Sequence, residues 1–431
     1  MLYYSLRHAA PPVDFRQATV AGQAPDGGLY FPATIPRFSP DFLRELKTMD
    51  KAAVAFAVMQ PYVGDTIPAD VLRRICAEAV DFDFPLVEVT ARTSALELFH
   101  GPTLAFKDVG ARFMSRCLGY FSRQGQAQVT VLVATSGDTG GAVASGFLGV
   151  AGVEVIILYP AGKVSPVQEL QLTTLGRNIT ALEVQGTFDD CQRLVKQAFT
   201  DADLARRYVL TSANSINVAR WLPQQIYYCY ALQQWPHIEP PVFSVPSGNF
   251  GNLCAGLLAH VSGLPARHFL AACNANDAVP DYLRSGEFTP KAAVATISNA
   301  MDVGHPSNFA RILELFQHDY EPIRTTVSGY SVTDAATAAT IRAVYEQHHY
   351  LLDPHGAVAY AAWQQYLAEH PTARGIVLET AHPVKFYDVV EPIIAAKVPV
   401  PTALDGLLTR QKQSVGLAAD FAALKEYLLG R

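Results

Sequence analysis

The stretch "VTVLVATSGDTGGA", residues 129–142, passes from six residues that are mostly β-branched or apolar into hydroxyls, glycines and a single aspartate. A run this short, apolar on both faces, reads as a strand buried in a parallel sheet. The glycine-rich residues behind it read as a turn into a helix. Working outward, further runs have the same character: "VEVIILY" (153–159), "ITALEV" (179–184), "VFSVP" (242–246), "FLAAC" (269–273) and "GIVLET" (375–380). They alternate with helical segments, the pattern of an α/β fold in which helices cover a mostly parallel sheet. Thr187 and Asp190 resemble a capping box that opens the helix after the third run. Upstream, "PDGGLYFPATIPRFSP" is dense in turn formers and is followed by helical segments at 40–59 and 68–80, so residues 1–82 are expected to form a small N-terminal domain.

The 431 residues exceed what one core usually organises, which predicts two or three packed units with a cleft between them. Half the residues are apolar and 17% are charged, the balance of a globular chain. A net charge of -6 without a basic run points away from nucleic acid and anionic membranes and towards small-molecule partners. The six scattered cysteines fit reduced core thiols better than disulfides or a zinc site. The opening "MLYYSLRHAAPPVDF" lacks the pattern of a secretory signal, and no segment is long and apolar enough to span a bilayer, so a cytoplasmic protein is expected.

In open α/β sheets ligands sit beyond the carboxyl ends of the strands. After the first run, "TSGDTGGA" (135–142) reads either as a helix start able to bind an anion or as a tight turn with Ser136 or Asp138 as N-cap. "SGNFGN" (247–252) looks like a phosphate cradle, although it fits neither GxGxxG nor GxxxxGK[ST]. In "SANSINVAR" (212–220), Asn214, Ser215, Asn217 and Arg220 converge on an anion if a helix opens at Asn217, with a solvated helix start as the alternative. "LETAHPVKF" (378–386) places Thr380 after a buried run, with His382 and Lys385 beyond it. No metal-binding or serine-hydrolase motif accompanies these, and no metal is expected.

"HGPTLAFKDVG" (100–110) sets Lys107 among apolar and small residues. Alone, it reads as a lysine whose stem packs against Phe106. With a phosphate cradle and a hydroxyl for a ring nitrogen, it reads as the amine that binds an aldehyde cofactor, pyridoxal phosphate.

The ordered set "PDGGLYFP", "LELFHGPTLAFKDVG", "ATSGDTGGA", "SANSINVAR", "VPSGNFGN", "MDVGHPSNFARILELF", "DPHGAVA" and "ETAHPVKF" resembles the threonine synthases of the longer bacterial and fungal type, within the fold type II pyridoxal phosphate enzymes. The likeness runs from about residue 20 to 390. It implies a tryptophan synthase β-like fold: two open, mostly parallel sheets with helices on both faces, plus the small N-terminal domain. It also implies a catalytic region over 83–431, divided into a smaller mobile unit (108–235) and a larger one (83–107 and 236–431).

By resemblance, Lys107 carries the cofactor as a Schiff base, and Gly248, Asn249, Phe250, Gly251 and Asn252 surround its phosphate. Thr380 faces the ring nitrogen. Ser136, Asp138 and Thr139 bind the substrate carboxylate, and Asn214, Ser215 and Arg220 bind a substrate phosphate. The implied activity is that of a carbon–oxygen lyase converting O-phospho-L-homoserine and water into L-threonine and phosphate, in a monomer or homodimer. The alternatives are another enzyme of this fold type, such as a serine or threonine dehydratase, and a cofactor-binding protein without catalysis. The roles of Asp108, His382 and Lys385 stay open.

Overall fold

The computed structural model describes residues 1–124 and 128–431. Its two large sheets divide the apolar runs between them. One has the strand order Val327–Ser331, His268–Cys273, Val242–Pro246, Gly375–Glu379, Thr93–Glu97 and Leu86–Thr90. All its neighbours are parallel except the last pair, an antiparallel hairpin with a register shift between Glu88 and Thr90. The other, parallel throughout, has the order Val415–Ala418, Ile179–Gln185, Val153–Pro160, Val129–Ala134 and Val209–Thr211. Every apolar run is a strand. The run at 375–380 ends at Glu379, which leaves Thr380 as the first residue beyond the sheet.

The period-2 alternation of a strand decides where the cores lie. Val131 and Val133 join the same large cluster as Val155, Ile157, Phe243, Val245 and Leu378. Their neighbours turn the other way. Leu132, Ile156 and Leu158 pack against the helices Phe188–Thr200 and Phe421–Leu429, whereas Val242, Leu270 and Val377 pack against the helix Pro354–Glu369. Each sheet is therefore covered on both faces, with one common core between them. The six cysteines are buried free thiols. No helix among the described residues is long and apolar enough to cross a membrane.

The N-terminal residues add a three-stranded antiparallel sheet, Val13–Asp14, Leu2–Ser5 and Tyr30–Pro32. The helical stretch expected at 40–59 is broken: Asp50 accepts the Ala53 N–H at 2.8 Å and starts a new helix, Lys51–Val63, so the first ends before it. The expected capping box at Thr187 is present, with Oγ1 accepting from Asp190 N–H and the Asp190 carboxylate accepting from Thr187 N–H.

Two segments sit elsewhere than the expected division of 83–431 puts them. The strand Val415–Ala418 pairs with Ile179–Gln185, and Leu424 and Leu428 enter the core behind that sheet, so the C-terminus packs on the unit expected at 108–235. Lys412 ties the junction down with ion pairs of 2.7 Å to both Glu169 and Glu183. Conversely, the helix Gln225–Gln234, inside 108–235, packs on the helices Lys51–Val63 and Gly251–Val261.

Candidate active site

The turn after Val129–Ala134 leads into the helix Asp138–Phe147. Neither Ser136 nor Asp138 caps the helix Asp138–Phe147. Instead Thr135 Oγ1, one residue earlier, accepts from Gly137 N–H at 3.0 Å and Gly140 N–H at 2.8 Å. Gly137 has φ 139°, and a Cβ on it would lie 2.4 Å from Gln168 Oε1. That glycine is required on both grounds. Ser136 and Thr139 are left half-buried with their side chains uninvolved in the cap.

Asp138 is buried, and its carboxylate is already occupied. Oδ1 meets Lys385 Nζ at 2.7 Å and accepts from Gln168 Nε2 at 2.8 Å, while Oδ2 lies 3.7 Å from Lys107 Nζ. Burial alone raises a carboxyl's pKa, but here Lys385 and Lys107 overcome it and hold Asp138 well below the carboxylate range. A carboxylate so engaged suits the two amines rather than a substrate carboxylate, which corrects the expectation for Asp138.

Lys107 opens the helix Lys107–Arg123. The loop before it is stitched to the end of Gly375–Glu379: Leu98 N–H donates to Glu379 O at 2.9 Å, Phe106 N–H to Thr380 O at 2.8 Å, and His382 N–H to Leu104 O at 3.0 Å. Tyr227 Oη donates to Phe106 O. Lys107 and Thr380 are thus fixed relative to one another through main chain. Desolvation pushes the Lys107 pKa down, Lys385 and Arg220 push the same way, and Asp138 opposes them. Asp108, next in sequence, faces inward and accepts from Thr103 N–H at 2.9 Å and from Thr103 Oγ1 at 2.5 Å, so its work is to close the loop 101–108. His382 Nδ1 accepts from Val384 N–H at 3.1 Å and caps the short turn Pro383–Phe386 that carries Lys385.

The turn 247–252 leads into the helix Gly251–Val261 through Phe250, which has left-handed backbone at φ 63°. The first turn of a helix leaves its N–H groups free of intrahelical partners. A Cβ on Gly248 would stand 2.5 Å from Met301 Cα, so the chain passes here only as glycine. Asn249 Nδ2 donates to Ser215 Oγ at 2.7 Å, and its Oδ1 accepts from Ser307 N–H at 2.6 Å. Asn252 is turned inward, with Nδ2 donating to Pro246 O at 2.8 Å, so only its backbone faces outward chemistry.

Asn217 does open a helix, Val218–Trp221, but its amide is consumed by capping Ala219 N–H and by donating to Thr19 O and Ser212 O. Arg220 is buried. One terminal nitrogen donates to Ala213 O, while Nε and Asn214 Oδ1 have no partner among the described residues. Burial lowers the Arg220 pKa to about 10, which still leaves it cationic at neutral pH.

The sequence reading missed the residues that join these pieces. Asn308 Nδ2 donates to Ser215 Oγ at 3.1 Å and to Asn249 O at 3.1 Å. Buried Arg311 donates to Ser215 O at 3.1 Å and lies 4.3 Å over the Trp221 ring. Both lie in "MDVGHPSNFARILELF", a stretch that carries the family resemblance without marking which of its residues meet the site.

The chain was compared with known proteins. The family described as "Pyridoxal-phosphate dependent enzyme" matches residues 95–378, "Threonine synthase N terminus" matches 2–80, and "Threonine synthase, C-terminal" matches 356–428. The threonine synthase of Serratia marcescens is 44% identical over 432 residues, covering 100% of this chain and 99% of that protein. The crystal structure of threonine synthase from Escherichia coli superposes with a TM-score of 0.93 at 43% identity, covering 100% of both chains. A PLP-bound threonine synthase from Brucella melitensis also gives 0.93, at 37% identity over 99% of this chain and 98% of that one. Similarity over the full length of both partners, in sequence and in fold, shows that this chain belongs to the threonine synthases, within the pyridoxal-phosphate-dependent enzymes.

Proposed function

We propose that the chain converts O-phospho-L-homoserine and water into L-threonine and phosphate, with Lys107 as the amine that binds pyridoxal phosphate. The turn Gly248, Asn249, Phe250, Gly251 and Asn252 suits the cofactor phosphate, because it is a glycine-containing turn that opens a helix, whose first N–H groups have no intrahelical partners. Thr380 suits the ring nitrogen, its hydroxyl being neutral and its backbone tied to Phe106 beside Lys107. The cofactor supplies an aldehyde, to which an amine bonds with loss of water, and a conjugated ring that spreads the charge left when a proton leaves carbon.

Ser136 and Thr139 hold the substrate carboxylate at the start of their helix. Lys107 would hold the cofactor, and its amine would move the proton at the substrate Cα. Asn214, Ser215 and Arg220 hold the departing phosphate.

One observation favours this reading over a dehydratase: Arg220 is a buried cation whose Nε has no acceptor among the described residues. A buried, unmet N–H is costly unless a ligand supplies the oxygen. The Asn249–Ser215 bond joins that arginine's segment to the turn 247–252, an arrangement that suits two phosphates side by side. A dehydratase substrate has none to offer.

We further propose that residues 1–82 form a separate N-terminal unit and that the mobile part comprises the five-stranded sheet with its C-terminal strand and helix, 415–429. The protein is expected to act in the cytoplasm as a monomer or homodimer. The test is to follow the visible absorbance of the bound cofactor in the wild type and in Lys107→Ala, then measure phosphate and threonine. Equal release of both, lost with Lys107, supports the reading. Formation of a 2-oxo acid and ammonia from serine or threonine, without phosphohomoserine turnover, replaces it with a dehydratase.

A further inference from the structure

Two lysines approach one buried carboxylate, and they are not equivalent. Lys385 is fully buried, donates to Thr103 O at 2.8 Å and meets Asp138 Oδ1 at 2.7 Å. Lys107 reaches only 3.7 Å from Asp138 Oδ2. Gln168 adds a third donor to Asp138, on the same oxygen as Lys385. We infer that Lys385 is a positioning residue for Lys107: by holding the Asp138 carboxylate, it leaves the Lys107 amine without a close counter-charge and free to act as nucleophile and base. The inference rests on Lys107 being the cofactor-binding amine.

The surroundings agree. The charged groups that face Lys107 are Asp138, Lys385 and Arg220, so the cations outnumber the single anion. Lys385 is faced by Asp138 and, behind Thr103, by Asp108, with His382 on its own turn and held neutral by burial. Lys385 is thus enclosed between acceptors, while Lys107 is desolvated beside two cations and disfavours its ammonium form. Close acceptors, Asp138 Oδ1 at 2.7 Å and Thr103 O at 2.8 Å, rather than depth of burial, separate the fixed lysine from the reactive amine.

The test reads the protonation of Lys107 directly. The full-length chain, freed of cofactor, is labelled with trace acetic anhydride from pH 6 to 11, and acetylation of Lys107 is followed by mass spectrometry. Lys385→Gln retains a donor but removes the charge. The Lys107 midpoint should then rise by about one pH unit or more, and pyridoxal phosphate capture at pH 7.5 should slow about tenfold and recover at pH 9.5. Lys385→Arg should keep the wild-type midpoint. A midpoint unchanged in Lys385→Gln, or a loss of capture equal at every pH, would leave Lys385 a packing residue and overturn the inference. If that variant does not fold, Asp138→Asn serves: removing the contested carboxylate should lower the Lys107 midpoint, and a rise overturns the inference. A visible band that survives in Lys107→Ala would instead remove the cofactor assignment, which the labelling midpoint does not depend on.

Discussion

The role proposed for Arg220, holding the substrate phosphate, says what a conservative change should do. A lysine at 220 keeps the charge but loses the planar fork, and with it the Nε that has no other acceptor. Losing one charge-assisted hydrogen bond at a buried site costs about 2 kcal/mol, so Arg220→Lys should lower kcat/KM for phosphohomoserine roughly 30-fold while leaving the cofactor absorbance intact. Steady-state kinetics beside a spectrum decide it, and wild-type kinetics would remove Arg220 from the site. His382 makes a different prediction at the same scale. Burial first, and His100 next, lower its pKa to about 4. A histidine depressed in the fold contributes stability above its ordinary value near 6.5, and that contribution is lost as pH falls from there to about 4, because protonation takes Nδ1 from the Val384 N–H. Chemical denaturation across pH 7 to 4 should show His382→Asn losing less stability than the wild type, by up to about 3 kcal/mol. His268, lowered to about 4 chiefly by burial, keeps part of the acid limb in place in that variant.

At the scale of elements, the strand-to-helix turns do the positioning, and they differ in how far they were legible. The runs at 129–134 and 242–246 were readable because strands buried on both faces have no polar residue to confuse the pattern. Edge strands were not: Val209–Thr211, Val327–Ser331 and Val415–Ala418 are short, half-exposed or interrupted by glycine, and their periodicity is too brief to register. One of the two readings of "ATSGDTGG" puts the cap at Ser136 or Asp138. Gly137 at φ 139° instead bends the chain so that Thr135 reaches the N–H groups. Removing that hydroxyl with Thr135→Val should destabilise the fold by about 1–2 kcal/mol, measured by urea unfolding. Gly248→Ala tests the other turn. Its Cβ meets Met301 backbone, which cannot move as a side chain would, so the donor surface must shift. The expected result is pyridoxal phosphate affinity weakened at least about tenfold, with a stability loss of about 1–3 kcal/mol. Unaltered affinity would place the cofactor phosphate elsewhere.

At the scale of the whole molecule, the site is assembled from both sheets, which is why single motifs could name its members but not its wiring. Ser136 and Thr139 follow a strand of the five-stranded sheet, whereas Gly248–Asn252 and Thr380 follow strands of the six-stranded one. The links between them, Asp138 to Lys385 at 2.7 Å and Gln171 Nε2 to Thr103 O at 3.1 Å, join residues whose pairing no local spacing could reveal. The sequence leaves the role of Lys385 open, and its complete burial against Asp138 and Thr103 is what gives it one. An active site divided in this way can be closed by moving one sheet against the other, and the chemistry requires water to be kept out until the β-carbon is ready for it. The Asp138–Lys385 pair already anchors the turn 135–140 to the larger sheet, so the remaining motion should be felt on either side of that anchor, at Ser136, Thr139 and the segment 214–220. Binding of a phosphonate analogue of the substrate to the holoenzyme should therefore slow amide hydrogen exchange in 136–141 and 213–220 by at least about tenfold, with little change in the N-terminal sheet 2–32. Equal exchange with and without the analogue would mean that the site is preformed, and that water is excluded by the substrate filling it rather than by closure.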